Sequence, residues 1–177
     1  MKRYKSYFEA KQVGIIYHFT PYENLISIIK DDALMIKNHN YLSFTRDKNA
    51  NKSRLKLQCK IVLDGDKLSN KYKIEPFDYF NSEYNKQHPI GYSGQDEQEE
   101  RIKIRILKDL HKYVKEIIIS YNPDVFNYIG KEWDFLFNEY LREISELNKK
   151  KFKIKIKVVG FTPDFSKPKK SINDMEV

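Results

Sequence analysis

The stretch GIIYHFTPYE, Gly14 to Glu23, decides how the rest of the chain is read. Ile15 and Ile16 open an apolar run that closes on an aromatic, a histidine and a hydroxyl, the pattern of a strand ending at a polar rim. A helix is expected to begin at once. Thr20 has N-cap chemistry, Pro21 suits the first helical position, and Glu23 follows with the spacing of a capping box. One segment therefore supplies a strand end, an imidazole at its tip and a helix N-terminus, an arrangement that folds use for anionic ligands. Capping boxes also begin ordinary helices, so this stretch alone speaks for structure before function.

The 177 residues suffice for one domain with a real core, and the chain is read as a single domain over 1–177 with a polar tail at 166–177. With 13 Tyr and 11 Phe, bulky apolar side chains argue against disorder. Thirty-three Lys+Arg against 25 Asp+Glu leave a formal charge of +8, which favours phosphate-rich partners, nucleotide or nucleic acid. A Lys- and Asn-rich composition is equally what an AT-rich coding sequence produces. Cys59 is the single cysteine and lies in LKLQCKIVL, where a small buried thiol is expected and a reducing compartment fits. The start, MKRYKSYFEAK, is basic but leads into no apolar core of signal-peptide length. No apolar run approaches membrane-spanning length. The expectation is a soluble, cytoplasmic protein with no membrane partner.

Outward from the opening stretch, 14–19 reads as a strand and 21–30 as a helix with Leu25, Ile28 and Ile29 on one face. Short extended pieces are expected at 33–36 and 41–45, and a long strand at 55–63 before the turn residues Asp64-Gly65-Asp66. The segment 72–80 is aromatic-rich and interrupted by Pro76, and 81–95 has the composition of a long loop. Residues 100–107 alternate, with Ile102, Ile104 and Ile106 on one side, and read as one strand, or as a helix running on towards His111. A buried strand is expected at 115–120 and a helix over 124–148, with Trp133, Leu136, Phe137, Tyr140, Leu141, Ile144 and Leu147 as its core stripe. Residues 152–159 alternate again, and the lysines at 151, 153, 155 and 157 read as protection of an exposed edge strand. Strands with helices inserted between them indicate an α+β fold.

Several chemistries have no residues to carry them. His18, His39, His88 and His111 are scattered with no close pair, and one cysteine supplies no zinc cluster, so no metal is expected. The chain has no G-x-S-x-G turn, no Walker loop and no G-x-G-x-x-G. Three pieces remain: Tyr17-His18-Phe19-Thr20, Leu42-Ser43-Phe44-Thr45-Arg46, and Asp96-Glu97-Gln98-Glu99-Glu100-Arg101-Ile102. Each sits where an apolar strand meets polar residues. Alternation puts Glu100 on the face of Ile102, and a carboxylate there is costly unless it borders a cleft or finds a partner. The acids read equally as a solvated turn or as partners of Arg101.

A histidine on a first strand, S-F-T on a second and a glutamate opening a later strand together resemble the three-part signature of the ADP-ribosyltransferase superfamily, over roughly residues 14–107. That superfamily includes bacterial toxins, poly-ADP-ribose polymerases and members that modify nucleic acids; toxin, phage, defence and housekeeping roles are all compatible with it. The resemblance implies a split, mostly antiparallel sheet pair with flanking helices that holds NAD, as co-substrate, in a cleft. It implies catalytic roles for Glu100 and His18, with Tyr17, His18, Thr20, Ser43, Phe44, Thr45 and Arg46 around NAD. Gln98, two places before Glu100, takes the acceptor-contacting position. The rival register Glu97-Gln98-Glu99 resembles the arginine-modifying pattern, which leaves the catalytic acid open among Glu97, Glu99 and Glu100. A first-strand histidine paired with S-F-T mixes two branches of the superfamily.

The implied chemistry suits these residue types. Cleaving the nicotinamide–ribose bond develops positive charge at the anomeric carbon, which a carboxylate stabilises best in a water-poor cleft. Arg46 suits a bidentate contact with a pyrophosphate, or is an ordinary loop arginine. Tyr17 and Phe44 suit stacking on nicotinamide, or are core. The expectation is an enzyme, an NAD-dependent mono-ADP-ribosyltransferase acting on a nucleic acid or a nucleic-acid-associated protein. An NAD glycohydrolase using the same site, and a non-catalytic nucleic-acid or protein-binding module on the same scaffold, are the alternatives.

Overall fold

The strand at the centre of the fold is β1 (Ile15–Thr20), paired along its whole length with β4 (Cys59–Asp64) in antiparallel register, Ile15 against Asp64 through Thr20 against Cys59. A computed structural model describes residues 13–37, 39–49, 59–77, 99–121, 132–160 and 168–171 of the protein. On its other side β1 meets β3 (Leu42–Thr45), which pairs with β6 (Glu99–Ile102), and β6 with the edge strand β5 (Ile74–Phe77). Beyond β4 lie β8 (Val114–Tyr121), β9 (Lys155–Gly160) and β10 (Pro168–Ser171). This eight-stranded sheet runs β10-β9-β8-β4-β1-β3-β6-β5, with β8 and β9 parallel and every other pairing antiparallel. A separate ribbon joins β2 (Ala33–Met35) to β7 (Ile106–Lys108). With the helices α1 (Tyr22–Asp31), α2 (Gly65–Ser69) and α3 (Glu132–Lys150), the protein is a mixed α+β fold with a large mixed sheet and a small second one.

One face of the sheet forms the core. Ile16, Ile61, Leu63, Ile117 and Ile119 alternate onto it and are fully buried, each such side chain contributing about 1.5–3 kcal/mol over exposure. Leu25 and Ile29 of α1 and Phe137, Leu141 and Ile144 of α3 belong to the same cluster. The Tyr140 hydroxyl of α3 donates to the Tyr22 carbonyl at 3.0 Å and lies 3.7 Å from Cys59 Sγ, which fixes α3 over this face. Burial pushes the Cys59 thiol up to about 12, so it is packing rather than a nucleophile.

Several expectations are corrected. Thr20 does not cap α1: it stays in β1 against Cys59, and Pro21, extended at φ −70 and ψ 163, takes the N-cap position without a side-chain hydrogen bond. Pairing with Cys59 keeps Thr20 in the sheet, with its side chain buried. The expected strand over 100–107 is two strands. Ile104 N–H donates to the Ile102 carbonyl at 2.8 Å, the chain turns out of the large sheet, and Ile106 is left 45% exposed where it pairs with β2. Asp64-Gly65-Asp66 opens α2 rather than a turn, Asp64 accepting from Lys67 N–H at 3.0 Å. Leu136 is 45% exposed and outside the core stripe, and the Trp133 side chain and residues 122–131 lie outside the described residues. Finally, β9 is not an edge strand, since β10 covers it, and Lys157 pairs with Glu116 at 2.7 Å.

Candidate functional site

Register decides what β1, β3 and β6 bring together. Tyr17 lies opposite Thr45, so the next antiparallel position sets His18 against Phe44; Phe44 in turn lies opposite Glu100. Paired residues share a face, so His18, Phe44 and Glu100 form one row across adjacent strands, on the core face. Adjacent strands are spaced by about 4.8 Å, which separates the β1 and β6 backbones by roughly 10 Å at this level. The ring contact agrees: the His18 and Phe44 centroids are 5.9 Å apart, edge to face. The row continues the apolar face through Ile61 and Ile117 on one side and reaches Pro76 on β5 on the other.

Glu100 is the chemical anomaly of that row. It is 3% exposed on a face built largely of isoleucine, leucine and phenylalanine. Such a carboxylate requires a partner, and Arg46, two residues past Phe44 on the same face, provides it: Nε lies 2.5 Å from Oε1. Among the described residues Nε finds no aligned hydrogen-bond acceptor, so charge rather than hydrogen-bond geometry holds the contact. The arginine side chain is 33% exposed, and so joins the buried acid to solvent. Arg101, the partner read from the sequence, is on the opposite face with its guanidinium 4.0 Å from the Tyr41 ring centroid.

His18 is half-buried, and its Nδ1 is 3.3 Å from the Ser43 carbonyl oxygen. A carbonyl only accepts, so Nδ1 carries the hydrogen and Nε2 is left as an acceptor in the neutral ring. Burial pushes the imidazole below its usual range, against the opposite pull of that carbonyl. A neutral imidazole with a free acceptor suits a hydroxyl-bearing ligand.

The structure does not bring every expected residue to this face. Ser43 and Thr45 alternate onto the reverse side, where Ser43 is exposed and Thr45 Oγ1 accepts from Asp47 N–H at 3.0 Å. Tyr17 is also on the reverse side, beneath Lys60 Nζ at 5.4 Å from its ring centroid. The S-F-T segment thus meets the row through Phe44 and the Ser43 carbonyl, not through its hydroxyls. Thr20 shares the His18 face and is buried. Glu97 and Gln98 lie outside the described residues, and of Glu99 only the backbone is described, opposite Thr45 and Phe77. A hollow of about 560 Å³ lies on α3, lined by Glu139, Tyr140, Arg142, Glu143 and Glu146, and includes none of the row. Its acidic lining is wrong in sign for a dinucleotide.

A second pairing, like that of Arg46 with Glu100, was invisible in the sequence. Asp32, in left-handed backbone at φ 52 past the end of α1, accepts from the His111 N–H at 2.8 Å and meets His111 Nδ1 at 2.5 Å. The Leu110 N–H donates to the Asp32 carbonyl at 3.0 Å, so this contact ties the end of α1 to the chain after β7. The signal was limited to an aspartate at a helix end. Among the described residues, no group of three or more His, Cys, Asp or Glu side chains is arranged to hold a metal ion, and no helix is long and apolar enough to cross a membrane.

No protein-family model matches the chain, and no curated protein is significantly similar to it.

Proposed function

We propose that the protein is an NAD-dependent mono-ADP-ribosyltransferase-like enzyme, which transfers ADP-ribose to a macromolecular acceptor and releases nicotinamide. One observation carries this reading: His18, Phe44 and Glu100, from three distant segments, share one cross-strand row on neighbouring strands. The mixed α+β fold, with β3 between β1 and β6 in one continuous sheet, is consistent with the fold that the resemblance implies. In this reading Glu100 stabilises positive charge at the anomeric carbon and orients the ribose through its 2′-hydroxyl. His18 Nε2 accepts from a ribose hydroxyl, and Phe44 is the apolar wall between them. Arg46 is the cation for the pyrophosphate, and its contact with Glu100 has to rearrange as that anion takes up the guanidinium. The net charge of +8 favours nucleic acid or a nucleic-acid-bound protein as acceptor.

The Arg46–Glu100 pair also supports a second reading. A glutamate 3% exposed and already paired is what a scaffold that has lost its activity and serves as a binding module would retain. Incubation with nicotinamide-labelled and adenine-labelled NAD, with lysate, DNA and RNA supplied separately, distinguishes the two. The enzyme releases nicotinamide and labels an acceptor, and Glu100→Gln abolishes both while NAD still binds. Release without any labelled acceptor marks a glycohydrolase. Absence of release and of label under every condition overturns the proposal.

A further inference from the structure

The reverse face of the sheet carries a feature that the row of His18, Phe44 and Glu100 does not use. Tyr41, immediately before β3, contacts two planar groups. The His39 ring lies over it at 5.6 Å between centroids and 29° between planes, and the Arg101 guanidinium lies 4.0 Å from its centroid. His39 is exposed, so the stack has an open end towards solvent, while Tyr41 and Arg101 are half-buried. Antiparallel register makes this arrangement: Ser43 lies opposite Arg101, which sets Tyr41 diagonal to Arg101 on the same side as the exposed Ser43.

Cations surround the stack. Arg105 is held by both Nε and Nη2 on Asn40 Oδ1, at 3.1 and 2.7 Å, beside His39 and Tyr41 in sequence. Lys73 and Lys103 flank Glu75, at 2.6 and 2.9 Å, and Glu75 lies opposite Arg101 on β5. Hydrogen bonds from Lys73 and then Lys103 hold the Glu75 carboxyl down at about 2, so it is ionised and is the acid facing this patch from β5. Among the described side chains, Lys73, Arg101, Lys103 and Arg105 are cations on this side of the sheet. A positive surface with an exposed end of stacked planar groups is the combination by which proteins hold unpaired bases and the phosphates between them.

We propose that the His39–Tyr41–Arg101 stack and its flanking cations form a docking platform for single-stranded nucleic acid. A base extends the stack on His39, and Arg105, Lys103 and Lys73 meet the neighbouring phosphates. An acidic peptide matches the charge but offers no succession of planar faces. A duplex keeps its bases stacked inside and cannot extend the pile. The platform is on the opposite face of β3 and β6 from Glu100 and does not depend on the enzymatic reading.

The test is fluorescence anisotropy of a labelled oligothymidylate with the full chain, at low and at raised salt. The wild type is expected to bind, and to bind more weakly as salt rises. His39→Ala, at an exposed position that does not endanger folding, weakens binding about fivefold, and Tyr41→Ala about tenfold. Arg101→Lys keeps the charge but loses the plane, and weakens binding severalfold, which purely electrostatic attraction would not do. The assay contains no NAD, so a failure of the catalytic proposal leaves this result intact. The platform is overturned if the wild type does not bind at low salt, or if His39→Ala and Arg101→Lys bind as tightly as the wild type. Tighter capture of a poly-glutamate peptide or of duplex DNA than of the oligothymidylate overturns it equally.

Discussion

Glu100 and His18 sit on the same face, and their surroundings set opposite electrostatic demands. Glu100 depends on Arg46, because a carboxylate 3% exposed has little water to solvate it. Arg46→Met is expected to lower unfolding stability by about 2–3 kcal/mol, less than for a fully buried pair because the guanidinium reaches solvent. Glu100→Gln costs less, and the double variant recovers part of the Arg46→Met loss in a urea-denaturation cycle; strictly additive losses would contradict the pairing. His18 behaves in the opposite way, since burial favours its neutral form. Its folded value lies below the unfolded value of about 6.5, so the unfolded chain takes up a proton first as pH falls. The stability from neutral His18 is whole above that pH and is lost as pH drops through the folded value, by at most about 1.4 kcal/mol per unit. Urea midpoints near pH 7.5 and near pH 5 should therefore diverge less in His18→Phe than in the wild type, and equal divergence would show that His18 does not titrate this way.

At the level of elements, the entry to β1 is tied to α2. Asp66 accepts from the N–H groups of Val13 and Gly14 at 2.7 and 2.8 Å, and Gly65 N–H donates to the Gly14 carbonyl at 2.8 Å. A Cβ at Gly65 would meet that carbonyl at 2.6 Å and Val13 Cγ1 at 2.8 Å, whereas one at Gly14, at φ +71, would meet nothing within 4 Å. Gly65→Ala is thus expected to cost about 2–3 kcal/mol by overpacking and Gly14→Ala only about 1 kcal/mol by backbone strain, an order that thermal denaturation of the two variants checks. Much of this level was legible in the sequence. β1, β4 and β8 announce themselves by β-branched runs, and alternation with Ile102 was enough to put Glu100 on the buried side. The end of β6 was not legible, because the turn over Ile102–Ile104 contains neither glycine nor proline and the isoleucine alternation runs straight through it. Nor were the contacts of Arg46 with Glu100 and of Asp32 with His111, which depend on strand order and on a left-handed aspartate rather than on spacing along the chain.

For the molecule as a whole, strand order rather than any motif makes a site conceivable. Placing β3 between β1 and β6 puts an imidazole, an aromatic wall and a carboxylate in one row, while the same alternation sends Ser43, Thr45 and Tyr17 to the other side. The two faces then carry different chemistry, a buried acid on one and exposed cations beside stacked rings on the other. Among the described histidines, His18, His39 and His111, His18 alone is in the row, and that makes it the reporter of choice. With histidine-selective isotope labelling, titration of NAD into the protein should move the His18 ring resonances saturably, in the wild type and in Glu100→Gln, while those of His39 and His111 stay in place. A titration to millimolar NAD that leaves His18 unmoved, or moves His111 instead, would contradict the site.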